Sequence, residues 1–429
     1  MSEVTWEITS LSELGTFSRG KSKHRPRNDA RLFEGGKYPL VQTGDVKAAN
    51  LYITKNDSYY NDFGLKQSKL WPAGTLCITI AANIAETAIL SYPMCFPDSI
   101  VGFNANPEKS SELFVYYFFE YIKKEIQKSA SGSIQDNINI DYLSKMRIKV
   151  PEKDYQDKIV EVLSSIDKKI LLNNQINQEL EAMAKTLYDY WFVQFDFPDQ
   201  NGKPYKSSGG KMVYHPELKR EIPEGWGVEK LKDKLSVSRG ISYTTENIKD
   251  NIGTPMINLA SIDINRNYKS TGLKYFNGDY LKEKIVSGGD LLIACTDLTR
   301  NADIVGSPII VPFDEQNYVF SMDLAKIDSK VDYINKYYLY STLRTEHYHN
   351  YIKNWASGTN VLHLNIDGIN WYSISIPPVE LQEEYSKIIL KYSKKTNKNI
   401  QENQQLSQLR DWLLPMLMNG QVKVQDFTI

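Results

Sequence analysis

The chain is written twice. Trp6 through Gly20 reads WEITSLSELGTFSRG, and Trp226 through Gly240 reads WGVEKLKDKLSVSRG, an offset of 220 residues. Further on, Ala130-Ser131-Gly132 is matched by Ala356-Ser357-Gly358, and Asn139-Ile140-Asp141 by Asn365-Ile366-Asp367. Pro151 is matched by Pro377 and Gln156 by Gln382, now at an offset of 226, so the second half has gained about six residues in loops. A repeat of this length is far too long for a solenoid unit. It describes a duplicated pair of modules with pseudo-twofold character, and 429 residues suffice for two or three cores.

Each half changes character midway. Residues 1–150 and 226–377 are rich in Tyr, Ile, Val, Gly and Asn, and short β-like runs (75–80, 290–294) follow Gly74 and Gly289. Each module carries one helix-like segment, around 112–128 and 333–353. After Pro151 the apolar residues fall at Ile159, Leu163, Ile166 and Ile170, then at Ile176, Leu180, Met183, Leu187 and Trp191. Spacings of three and four mark a helical seam, which the polar pair Asn173-Asn174 interrupts. Ile389, Tyr392, Leu406, Leu409, Leu413 and Leu417 repeat it in the second copy, where the only proline lies near the end, at Pro415. Each helix should run about 35–40 residues, or about 55 Å at 1.5 Å per residue. A seam that long needs a partner, and the obvious one is its own repeat copy. The alternative is that each helix packs on its own module. Residues 196–225, dominated by Gly, Pro, Ser and Lys, read as a loop or extended connector.

The expected architecture is therefore α+β: two mixed modules (1–150 and 226–377) separated by two long helices (151–195 and 378–420) forming an antiparallel coiled coil. A linker (196–225) and a C-terminal tail (421–429) complete it.

Charge gives no global signature of a nucleic-acid or membrane binder, because 51 Lys and Arg face 52 Asp and Glu. The first module holds 18 basic and 16 acidic residues, the second 16 and 17. Three scattered cysteines (Cys77, Cys95, Cys295) form no disulfide framework, and the N-terminus does not look like a signal peptide, so a cytoplasmic location is expected. No apolar run reaches the length needed to span a membrane. Of the five histidines (His24, His215, His347, His349, His363), His347 and His349 stand two apart on a helix and make a poor metal pair. Metal-binding, nucleophile-elbow, cofactor-turn and amino-methyltransferase motifs are missing, which favours a binder over an enzyme.

The residues from Gly15 to Ser22 fit the P-loop expression. A P-loop follows a buried strand and opens a helix, whereas here residues 10–14 are not a hydrophobic strand and Pro26 follows closely. The second copy keeps Ser238-Arg239-Gly240 but has Leu235 in place of Gly15 and Ile241 in place of Lys21, so the repeated element is Ser-Arg-Gly. From Arg19 to Arg31 the chain holds Arg19, Lys21, Lys23, Arg25, Arg27 and Arg31, with His24 and one acid, Asp29. Such a loop attracts phosphates and can place arginine forks on guanine edges, though a solvated basic loop is the plainer reading. Gln42 and Thr43 follow, and glutamine pairs naturally with adenine. The second copy has Asn258 and Ser261 instead. A second divergent stretch sets Asn83 (81–86) against Thr296, Thr299 and Arg300 (295–301), and a third sets 131–135 against 357–360. Binding residues commonly sit on such loops. A shared frame with divergent loops suits two reading heads for two targets.

On these residues the chain resembles the DNA-specificity subunit of type I restriction-modification systems along nearly its whole length. The resemblance rests on the repeated Trp6 and Trp226 entries, the stretch 18–46, the run LYDYWFVQFDFPDQNGKPYKSSGGKMV (187–213) and the ending LLPMLMNGQV (413–422). It implies a non-catalytic subunit whose two target-recognition domains each read half of a bipartite DNA site. It also implies two modification subunits that methylate adenine and two ATP-dependent restriction subunits, with S-adenosylmethionine, ATP and Mg on those partners and no cofactor or metal here. The expected DNA-contacting set is Arg19, Lys21, Lys23, His24, Arg25, Arg27, Gln42, Thr43 and Asn83 in the first module. In the second it is Arg239, Tyr243, Asn258, Ser261, Thr296, Thr299 and Arg300. Two rivals are a single-chain DNA-modifying enzyme and a protein-binding adaptor.

Overall fold

A computed structural model describes residues 4–131 and 139–424. The chain is mixed α and β and divides into two compact units. One is built from the residues up to Leu171 together with those from Gln404 onward, the other from Leu172–Asn403.

In the first unit the entry strand Trp6–Ser10 pairs antiparallel with Arg147–Pro151, closing the module on itself. A five-stranded sheet follows in the order Gly15–Arg19, Ile100–Ala105, Leu76–Thr79, Thr87–Leu90, Tyr52–Ile53. Leu76–Thr79 is buried along its whole length, as a central strand covered on both faces must be. The helix Glu112–Ser131 presents Phe114, Val115 and Phe118 to the same core as Leu76, Ile78 and Phe103. A second sheet of four short strands carries Tyr38–Leu40 and Met94–Cys95 in its middle.

The second unit repeats the plan. Gly227–Lys230 pairs with Ser373–Ile376, a four-stranded sheet runs Leu235–Arg239, Leu324–Ser329, Leu291–Ala294, Pro308–Ile310, and a second four-stranded sheet lies beyond it. The helix expected around 333–353 is two helices, Lys336–Leu343 and Glu346–Ile352. The break falls at Thr345, whose hydroxyl accepts from the Tyr348 amide and starts a new helix there. The stretch 196–225 is more ordered than its composition suggests. It contains the hairpin Met212–His215 with Arg220–Pro223. Phe195 and Phe197 enter a core with Trp191, Phe192 and Trp226.

Two side chains show the same joint built in both units. Gln156 is buried, donates to the carbonyls of Lys109 and Pro151 (3.0 and 2.9 Å) and accepts from Ser110 Oγ at 2.9 Å. Gln382 is buried, donates to the carbonyls of Tyr333 and Pro377 (3.0 and 2.8 Å) and accepts from the Asn335 amide at 2.9 Å. Each glutamine fastens the start of a long helix to the module before it.

The long helices are Lys153–Tyr188, 36 residues, and Val379–Met418, 40 residues. Within the first unit, Ile159 and Leu163 share a core with Leu414, Leu417 and Met418, and Arg410 Nη1 donates to Asp167 at 2.8 Å. Within the second, the Asn173-Asn174 pair does not interrupt its helix. Asn173 is fully buried, and its amide donates to Glu402 and Asn403 (both 2.9 Å). The counterpart Asn399, also fully buried, donates to Asn177 at 2.8 Å.

Candidate nucleic-acid interface

In both modules the Ser-Arg-Gly element leaves its sheet in the same way. Gly20 donates its amide to the Ile100 carbonyl (2.9 Å), and Lys21 donates to Phe96 (3.2 Å). Gly240 donates to Leu324 (3.2 Å), and Ile241 to Phe320 (2.8 Å). The glycine is there because the chains pass too closely for a side chain. A Cβ at Gly20 would lie 2.3 Å from the Phe96 oxygen, and one at Gly240 would lie 2.1 Å from the Phe320 oxygen. No helix opens after Ser22, so the P-loop expression carries no phosphate cradle here.

The first module's basic segment rests on this shelf. Lys23 and His24 donate their amides to the backbone oxygen and the side-chain oxygen of Gln67, at 3.4 and 3.1 Å, and Ser68 Oγ donates to the Lys21 carbonyl. His24 Nε2 lies 2.7 Å from Asp29, which Arg31 also holds at 2.7 Å. The Arg31 hydrogen bonds, then that of His24, keep the Asp29 carboxyl well below the usual carboxylate range. Arg25 and Arg27 reach Asp98 at 3.7 and 2.5 Å. Arg19, Lys21 and Lys23 are exposed and have no ion-pair partner among the described residues. Gln42, exposed, precedes the helix Thr43–Ala48, with Thr43 half-buried. Lys47 of that helix donates to exposed Asn83 at 3.3 Å, bringing these two expected loops together.

The second module spends its polar groups differently. Arg239 is half-buried and donates to the Met322 carbonyl at 3.1 Å, and Tyr243 receives Lys274 Nζ at 3.2 Å. Asn258 is 3% exposed: its oxygen accepts from the Ala260 amide and its nitrogen donates to Gly272 at 2.7 Å. Ser261 is buried and accepts from the Asn258 amide, and Thr296 is buried and donates to Asp323. Buried Asp297 gathers the amides of Thr299, Ile304 and Val305 at 2.6, 2.6 and 2.8 Å, which fixes the loop that displays exposed Arg300 and half-buried Thr299. The strand Leu362–Leu364 pairs with Thr296–Asp297 on one side and Ala356–Ser357 on the other, joining the second and third expected loops. The first module's third loop, beyond Ser131, lies outside the described residues.

Sequence reasoning missed Asp98, Gln67, Asp297 and Met322. Matching Phe96 to Phe320 beyond the Ser-Arg-Gly repeat was the available signal for Asp98 and Met322. Burial pushes the Cys95 and Cys295 thiols up to about 11, away from nucleophilic thiolate. No cluster of His, Cys, Asp and Glu among the described residues could hold a metal ion, and none of the described helices is long and apolar enough to cross a membrane.

The family model described as "Type I restriction modification DNA specificity domain" matches residues 3–182 and again 223–408. The MjaIX specificity subunit of a type I restriction enzyme from Methanocaldococcus jannaschii is 26% identical, over 98% of this chain and 94% of that protein. The HindI specificity subunit from Haemophilus influenzae is 24% identical, over 92% and 97%. Among solved structures, the S subunit of a type I restriction-modification system from M. genitalium matches with a TM-score of 0.58 at 14% identity, covering 100% of this chain and 98% of that one.

Proposed function

Because the chain belongs to the type I restriction-modification DNA specificity family, we propose that it is the sequence-reading subunit of such a system. Its part is recognition, and catalysis belongs to other subunits. Each module reads one half of a bipartite DNA site. The two long helices pair as an antiparallel coiled coil, with the copies related by a pseudo-twofold. That strut sets the gap between half-sites, roughly one helical turn of DNA or about 34 Å. Two modification subunits and two restriction subunits complete the assembly and bring S-adenosylmethionine, ATP and Mg.

The observation that carries this reading is the shared shelf with unshared side chains. Both modules launch their divergent loops from the same Ser-Arg-Gly exit, so one frame presents two chemistries. In the first module Arg19, Lys21, Lys23, Arg25, Arg27, Gln42 and Asn83 are exposed to reach DNA, with His24 and Thr43 beside them. In the second, Arg239, Tyr243, Thr299 and Arg300 are the contact set, while Asn258, Ser261 and Thr296 hold the loops in shape. Arginine forks suit guanine and glutamine suits adenine. With near-neutral modules, much of the phosphate contact falls to the partner subunits.

The test is a module exchange. Co-expressed with its modification subunits, a chain whose residues 1–150 come from another family member should methylate adenines in sites altered in one half only, as read by methylome sequencing. Alteration of both halves, or of neither, overturns the modular reading.

A further inference from the structure

We infer that Asp98 is a positioning residue that aims the Arg27 guanidinium, and thereby sets base discrimination in the first half-site. The inference rests on the reading above.

The paired bonds of the shelf align Phe96 with Phe320 and Ile100 with Leu324, so Asp98 and Met322 occupy the same position in the two modules. That position faces the Ser-Arg-Gly exit in both. In the first module it holds a carboxylate bonded to Arg27 at 2.5 Å and within 3.7 Å of Arg25. In the second it holds a methionine, 51% exposed, whose sulfur accepts from Ser242 at 3.0 Å. The frame is kept and the chemistry at this spot is exchanged, as expected of a position that tunes what is read.

Both arginines are about half exposed, and exposed ion pairs add little to a fold, so stability is a poor reason for Asp98. A guanidinium has five donors in a fixed fork. On Arg27, Asp98 occupies one edge and leaves others free for a second acceptor, with the fork already oriented, while Arg25 is held by the Ser22 and His24 carbonyls at 2.5 and 2.8 Å. Without Asp98, Arg27 would be a long mobile cation that seeks phosphates, which surround every sequence equally, whereas Arg25 keeps its bonds to the Ser22 and His24 carbonyls. The carboxylate thus exchanges non-specific attraction for direction.

The experiment uses the full chain assembled with its modification subunits and compares wild type, Asp98→Asn and Asp98→Glu on duplexes altered one base pair at a time. Asp98→Asn should bind unrelated DNA more tightly, with a steeper salt dependence. It should lose about tenfold discrimination at guanines of the first half-site and none in the second. Asp98→Glu should restore most of the discrimination. A merely structural Asp98 would weaken all binding and lower the melting temperature, and that result overturns the inference. So does unchanged discrimination by Asp98→Asn. If the wild-type assembly itself ignores a bipartite site, the functional reading falls before the Asp98 comparison is reached.

Discussion

The two modules share a skeleton and differ in where they keep their charge. The first carries its basic residues outward on one loop, steadied from beside by Asp29 and Asp98. The second turns its polar groups inward: Asp297 gathers backbone amides, and Asn258 and Ser261 cap their own turn, leaving Arg300 at the surface. The shelf and the glutamine joints are common property, whereas the loops are private. The residues that hold the shared frame are thus distinct from those of the divergent loops, and each set can be attacked separately.

The sharpest attack is on the shelf. Gly20→Ala and Gly240→Ala each push a Cβ into backbone oxygens that cannot step aside. Each should cost about 3 kcal/mol, the upper range for overpacking, as measured by denaturant unfolding. If one module tolerates the change and the other does not, the shelf is not shared in any energetic sense. A smaller blow falls on the joints. Gln156→Leu and Gln382→Leu each orphan two carbonyls and one further polar partner, and should cost about 2 kcal/mol apiece. Unequal losses would show that one copy has found another fastening.

The smallest effect separates the modules by pH. Burial first, then the Arg266 guanidinium, holds the His349 imidazole below its ordinary value of 6.5. As pH falls through that value the unfolded chain takes up the proton before the folded one. The neutral ring therefore favours the fold fully above pH 6.5, and the advantage fades as pH drops toward the folded value. Thermal melts between pH 7 and 5 should show a fall that His349→Asn flattens. A slope unchanged by His349→Asn would remove that histidine from the account.

Much of this was legible in the residues. Heptad-like spacing announced both long helices, and the strands after Gly74 and Gly289 lie where their apolar runs stand. Other features hid behind residue type. Asn258, Ser261 and Thr296 read as surface groups because they are polar, yet each has an internal partner that makes burial cheap. Thr345 broke an expected helix with a cap that competes locally with continuation. The hairpin inside 196–225 is made of two four-residue strands, Met-Val-Tyr-His and Arg-Glu-Ile-Pro, too short for an alternating pattern to announce them. Asp98 acts through residues some seventy positions away, a relation no local pattern records.

The buried asparagines of the long helices have a consequence for how such a chain can change. Asn173 meets Asn403, and Asn399 meets Asn177, the same handshake made twice by residues that are one another's repeats. A substitution in one helix leaves a widowed amide in the other. Drift there must come in couples, and a gene half inherited from elsewhere is accepted only if it brings the matching hand.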